Sequence, residues 1–326
     1  MTTMLSQLGL VAESTYGTPV TVDRFYEFNS CSVALERGAV MSKGLRTGTR
    51  VQRSDRFMPY TVGASGDIEL DVPTKGFGIL LQHMLGAIAT GTVTDSNYTH
   101  TATIGSLLGR MLTIQAGKPR VGSATVDPYT WHGCKITNWE LACDVDGILV
   151  ATLGIDAEDE DNSTALASAS YPSDYRVFTF DGCAVTIAST SFEALSFSVT
   201  GENQLDTGRR FLTGSSLKKQ PLENAHREYG VSLEAEYTDL TQYDRFKSAT
   251  AAGQLAAVEA TFTGPVAHAG TTLPELVVTL PAVRFAEVSQ PISGPETLKQ
   301  SITGEVVDNG SDEPITITYR TTDATP

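Results

Sequence analysis

The chain has 326 residues, 40% of them hydrophobic and 19% charged, enough to bury one large core or two ordinary ones without metal or disulfide staples. Thirty-eight acidic against 23 basic residues leave a net charge of −15 at pH 7, which repels phosphates and anionic membranes and argues against a phosphate-gripping DNA-binding domain. No apolar run approaches the roughly 18 residues of a membrane span, and the amino terminus lacks the basic-then-apolar pattern of a secretory signal; folding in a reducing cytoplasm is expected.

In chain order, Gly17 and Pro19 mark a turn between two short extended pieces, and a strand is predicted over 29–36. Residues 37–62 carry Arg46, Arg50, Arg53 and Arg56 with little apolar periodicity, and read as a long exposed loop. From Gly66 the pattern alternates: Ile68, Leu70 and Val72 face one side and Asp67, Glu69 and Asp71 the other, a half-buried strand that Pro73 ends. Phe77, Leu80, Leu81, Met84 and Leu85 then form a helical stripe closed by Gly86.

Further strands are predicted over 98–104, 111–115, 133–143 and 148–155, with Asp146-Gly147 as the hairpin turn between the last two. Residues 158–174 are acidic and small, and read as an inter-domain linker between units 1–157 and 175–326. The second unit offers strands over 177–180, 183–187, 191–200, 256–262, 276–280, 283–288, 298–307 and 315–319. Its long loop, 201–227, carries Arg209, Arg210, Lys218 and Lys219. Helix content is expected to be low, one helix per unit.

The order of these features repeats. Leu45-Arg46-Thr47-Gly48-Thr49-Arg50 matches Leu205-Asp206-Thr207-Gly208-Arg209-Arg210 as Leu-x-Thr-Gly-x-Arg, and each copy precedes a glycine-led alternating strand, a helical segment and a hairpin. The separations are 160 at Leu45 and Leu205, 164 at Gly66 and Gly230, and 149 at Ile136 and Phe285, which implies an insertion in the first unit within 90–109. One β-rich domain, duplicated and fused, is the expected organisation.

Chemistry is sparse. There is no Walker loop, GxSxG elbow, HExxH or dinucleotide fingerprint, and no cofactor is expected. His132 and Cys134 fall short of the four ligands of structural zinc, and the acidic run at 156–161 lacks the alternating calcium-loop register. Cys31, Cys134, Cys143 and Cys183 have no CxxC spacing and read as free thiols, their pairing left open. The paired basic loops are more informative. Basic arms on an acidic body suit self-assembly, with guanidinium forks reaching carboxylates of a neighbour. The carboxylates Asp67, Glu69, Asp71, Glu234 and Glu236 sit on the polar faces of equivalent strands, where a ring would turn them toward a pore.

The opening Gly9-Leu10-Val11-Ala12-Glu13-Ser14-Thr15-Tyr16-Gly17-Thr18-Pro19-Val20, the segment Ser289-Gln290-Pro291-Ile292-Ser293-Gly294-Pro295, the ending Pro314-Ile315-Thr316-Ile317-Thr318-Tyr319 and the repeated body between them resemble the major tail tube proteins of long, non-contractile-tailed bacteriophages. The resemblance covers nearly the whole chain. It implies a mainly β fold of two tandem tail-tube-like sandwich or barrel domains, each with a flanking helix, whose inner sheets join into a ring-wide β-barrel. It also implies a virion protein assembled in the host bacterial cytoplasm, with rings stacking into a tube that conducts double-stranded DNA.

Interface loops carried over by the resemblance include Leu45, Arg46, Thr47, Gly48, Arg50, Arg53 and Arg56, and Leu205, Thr207, Gly208, Arg209, Arg210, Lys218 and Lys219. A fused pair makes three chains suffice where six single units are otherwise needed, so trimeric rings are expected, with a hexamer as the alternative. Tape-measure, tail terminator and distal tail proteins are the implied partners, and no membrane insertion is implied. A different class of reading is a β-rich binding module, such as a distal tail, baseplate or host-adhesion protein, which should show exposed aromatics on its loops rather than paired basic arms. A glycosidase on a β-scaffold would need convergent carboxylates that nothing in the sequence selects.

Overall fold

The computed structural model describes residues 3–91, 95–292 and 294–326; residues 92–94 of the expected insertion and Ser293 of the quoted motif lie outside them. The fold is mainly β, as the alternating segments predict. Eight antiparallel strands form one continuous inner sheet. From its first edge they run Ala34–Met41, Phe57–Asp71, Val150–Ala157, Val126–Asp144, Ala194–Glu202, Glu228–Glu236, Lys299–Val306 and Glu275–Ser289. Four come from each half of the chain, and each four lies in the same chain order: first, second, fourth, third.

A second layer lies over each set of four. Over the first half it comprises Arg24–Tyr26, Gln7–Ala12, Leu112–Pro119, the beginning of Val126–Asp144, and Asp159–Asp161. Over the second half it comprises Thr190–Phe192, Cys183–Ile187, Leu255–Thr263, the beginning of Glu275–Ser289, and Thr316–Thr321. The two long strands therefore serve both layers of their halves. Each has a register shift against its inner neighbour as it crosses, opposite Gly154/Ile155 in one and at Phe285/Glu287 in the other. Alternate residues point into the core between layers, where the rings of Phe197 and Phe262 meet with centroids 6.1 Å apart.

Two expectations change in detail. The polar stretch 37–62 is a hairpin arm rather than a loop throughout, since Arg37–Met41 pair with Phe57–Thr61. Every residue from 39 to 59 is exposed, so neither face of that hairpin has an apolar alternation to read. The acidic segment expected as a linker begins as a strand, Asp159–Asp161 on Thr130–His132, and the carbonyls of Ala165 and Ala167 then accept from Gln115 and Gln7. Asp161 accepts from the amides and hydroxyls of Ser163 and Thr164, which holds its carboxyl well below the usual range.

The segment 90–109, where an insertion is expected, takes in much of the hairpin Gly86–Thr90 and Tyr98–Ile104, whose second strand pairs with Thr316–Thr321 of the other half. That hairpin closes over the helix Gly78–Leu85, in which every residue but Gln82 is buried. A helix apolar on nearly all sides requires such cover. His83 is buried within it, its pKa pushed down to about 4 by that burial, and its Nδ1 donates to the carbonyl of Ile79 at 2.8 Å. Gly86 ends the helix at φ 102°, with its N–H on the carbonyl of Gln82. In the second half, Thr241–Lys247 and the short Ala251–Gln254 contain no fully buried residue; Tyr243 and Phe246 rest against the core. The four cysteines are free thiols, Cys134 and Cys143 buried.

Candidate assembly interface

The two halves join edge to edge. Strand Ala194–Glu202 pairs with Val126–Asp144 from Ser196 opposite Asp144 to Glu202 opposite Asn138. Trp139 lies directly across from Gly201, so close that a Cβ there would meet the indole at 2.3 Å. Only glycine admits that ring. Asn203, fully buried, donates its side-chain amide to the carbonyl of Ile136 and its backbone N–H to that of Thr137, satisfying the strand where its register shifts.

The arm of the second half, 203–227, lies across this seam onto the first half. Leu205–Asp206 pair with Leu222–Glu223, and Gly208 N–H bonds Asp206 in the turn that also holds Thr207. Arg209 donates to the carbonyl of Gln220, and Arg210 to that of Val62. Lys218 Nζ bonds Asp156 Oδ1 at 2.5 Å, with side chains only 3% and 12% exposed. Burial raises the Asp156 carboxyl while the Lys218 ammonium pulls it back, and Glu36 adds to the upward push. Arg227 donates to Leu85 and Gly105 carbonyls and to Glu223. Of the basic residues of this arm, read in the sequence as contacts to a neighbouring subunit, Arg210 and Lys218 bond the chain's own first half, Arg209 bonds within the arm, and Lys219 is exposed.

The arm of the first half meets no such partner. Leu45, Arg46, Thr47, Gly48, Arg50 and Arg56 are all exposed, with Gly48 in a turn at φ 79°. Arg53 forks onto Asp55, two residues away, at 2.9 Å. Leu45 and Val51 are 102% and 80% exposed, a poor arrangement for a solvated loop.

Asp67, Glu69, Asp71, Glu234 and Glu236 project from the inner-sheet face opposite the core, as their alternation predicts, all exposed or half-buried. Glu234 is bridged by Lys299 on the next strand at 2.9 Å. Among the described residues the two ends of the inner sheet are open: Ala34–Met41 pairs only with Phe57–Asp71, and the end of Glu275–Ser289 beyond Arg284 pairs only with Lys299–Val306. The signal that sequence reading missed is Asp156, the acid that receives the second arm, since a buried carboxylate has no period of its own.

Near the seam, Glu13 is buried and accepts from Gly133 N–H and Thr113 Oγ1, both at 2.8 Å. His132 faces Glu158 at 3.7 Å, and that carboxylate raises its pKa. A raised histidine pKa contributes stability that is fully present below the unfolded value and is lost as pH rises through the folded one. Glu158→Gln is therefore expected to destabilise the protein more at about pH 5.5 than at about pH 9, checked by denaturant titration at both. Equal losses would mean that the pair is not coupled to folding.

No group of three metal-ligating side chains occurs among the described residues: His132 is turned to Glu158, while Cys134 is buried in the core. Basic arms, an acidic sheet face and unpaired sheet edges define a structural β protein built around its surfaces. A family model described as phage tail tube protein matches residues 5–306, and the chain belongs to that family. It is a structural component of the phage tail, not an enzyme. No curated protein matches it.

Proposed function

We propose that the chain closes with two further copies into a ring and that rings stack into the tail tube, the conduit for DNA ejection. The observation that carries this reading is the seam. Inside one chain, two four-stranded units of equal order are already joined edge to edge, and the chain's outermost inner strands present the corresponding edges unpaired. Open edges invite pairing, and a closed barrel removes them. An ancestral duplication accounts for the repeated order, and three copies would supply six units with pseudo-six-fold symmetry.

In such a ring the acidic face lines the channel. Asp67, Glu69, Asp71, Glu234 and Glu236 would repel DNA phosphates and let the duplex slide rather than bind. The first arm, exposed from 39 to 59, reaches the adjoining copy or ring, and tape-measure and terminator proteins meet the tube within and at its end. Assembly in the host cytoplasm fits the free thiols.

Negative-stain electron microscopy of the purified protein over a concentration series tests this. Rings or tubes with a central hole, and end-on averages showing three lobes each split in two, are the expected result. Compact monomers at every concentration would count against self-assembly and favour a β-rich binding module of the tail.

A further inference from the structure

The seam inside the chain is also a template for how an arm is received, and its charges have counterparts at the open end of the sheet. Lys135 lies opposite Asp156 in one half, and Arg284 lies opposite Glu305 in the other. Ile136 and Phe285 follow at the same sequence spacing, and Leu153 opposite Ile68 corresponds to Ile302 opposite Leu233. By this register Asp156 corresponds to Glu305. Glu36, which acts on Asp156 inside the chain, corresponds to Glu202, the last residue of its strand.

The two sites differ in cover and in one partner, since Lys135 bonds the carbonyl of Leu107 rather than Asp156 whereas Arg284 is paired with Glu305. Lys218 and Asp156 are buried beneath the second arm, whereas Arg284 and Glu305, paired at 2.5 Å, are 48% and 57% exposed. The missing element is an arm. The arms span 37–62 and 203–227, and the strands after them correspond as Glu69 to Glu234, 165 residues apart. Counting back 165 from Lys218 arrives at Arg53; counting from the other end of the arm, where Glu36 corresponds to Glu202, arrives at its neighbour Gln52. The Leu-x-Thr-Gly-x-Arg motifs are 160 apart and so sit at different heights of their arms, which leaves Arg53, not a motif residue, in the place of Lys218.

We infer that Glu305, with Glu202 beside it, is the docking site for the first arm of a second copy of this chain, and that Arg53 is the residue it receives. The pairing rests on the self-assembly reading above. It places residues 287–289 of one copy against residues 34–36 of the next, as 138–140 lie against 200–202 within the chain. Arg53 exchanges its local fork with Asp55 for Glu305, and Arg284 remains on the other side of that carboxylate. A guanidinium fork suits a carboxylate that already has one cation, because it can bind the remaining oxygen and the adjacent acid together. Closing the site removes water from these charges, so a mismatch there is costly.

The test uses full-length chains, half of them 15N-labelled and half unlabelled. Arg53→Lys chains are assembled and treated with a water-soluble carbodiimide, which activates a carboxylate, joins it to an amine at contact distance as an amide, and leaves as a urea carrying the elements of water. Mass spectrometry of the digest is expected to show mixed-isotope peptides joining position 53 to Glu305 or Glu202, lost when both acids are changed to Gln. In parallel, Arg53→Glu is expected to raise the concentration needed for assembly by roughly tenfold or more. Arg53 is exposed and bonded only two residues away, so the folded monomer should not change. Tubes that form without those cross-links, or at unchanged concentration with Arg53→Glu, would overturn this docking site and leave the tube reading intact. Failure of the unaltered chain to assemble at all would overturn both.

Discussion

Lys218→Met is expected to destabilise the folded chain by about 3–5 kcal/mol near neutral pH, because it leaves Asp156 ionised and unpaired beneath the second arm. Water has little access there, and of the remaining charges Glu36 adds repulsion while Arg210 offsets only part of the loss. The loss should shrink on acidification. The Asp156 carboxyl already titrates above its ordinary value, and without the ammonium it must rise further; a carboxyl with a raised folded pKa holds its proton more tightly when folded, so stability recovers as pH falls through that pKa. The double change Lys218→Met with Asp156→Leu is expected to regain most of the loss, since an apolar pair of similar volume needs no desolvated charge. Urea titration of monomer at about pH 7 and about pH 5 reads all three effects. A loss below about 1 kcal/mol for the single variant would mean that the arm is open in solution.

The same pair marks the limit of what the sequence reveals. The alternation of Asp67 to Val72, the Asp146-Gly147 hairpin and the helical stripe at 77–85 are local patterns with a period or a turn signature, and the fold follows them. The sequence also marks the arms as basic and recurrent. It cannot say that Lys218 meets Asp156 across 62 residues, or that Tyr98–Ile104 crosses to Thr316–Thr321, because such contacts depend on which edges come together and leave no periodic trace. The hairpin of 37–41 with 57–61 was unreadable for the opposite reason: with both faces in solvent from 39 to 59, nothing forces its residues to alternate.

Lys218 also marks how the two arms differ: the second is bonded across to the first half, while the first is exposed from 39 to 59. At the inner seam, acid, base and strand edge belong to one polypeptide, so the arm closes at folding. At the outer edge, the acid and the arm belong to different copies under the proposed assembly, and closure there depends on concentration. A fold that builds one of its junctions internally halves the number of such events per ring.

Tyr319→Ala is the second large loss expected, about 3–5 kcal/mol, and it tests whether the halves fold together. Tyr319 is fully buried in Thr316–Thr321, its hydroxyl donating to the carbonyl of Pro73 at 3.0 Å. Its ring meets Phe77 and Phe178 edge-on, with centroids 6.3 and 6.4 Å away. Truncation leaves a cavity under the helix Gly78–Leu85 and strips Pro73 of its donor; Tyr319→Phe, which keeps the ring and loses only that hydrogen bond, should cost about 1–3 kcal/mol. Because Tyr319 comes from the second half and Pro73 and Phe77 from the first, the cost should appear as a lower midpoint of a single cooperative transition. Two separate transitions, only one of them moved by Tyr319→Ala, would mean that each half keeps an independent core and that the strand 316–321 is an accessory clasp. A single shifted transition would instead mean that the shared aromatic cluster, like the seam, fuses the two units into one rigid segment of the tube wall.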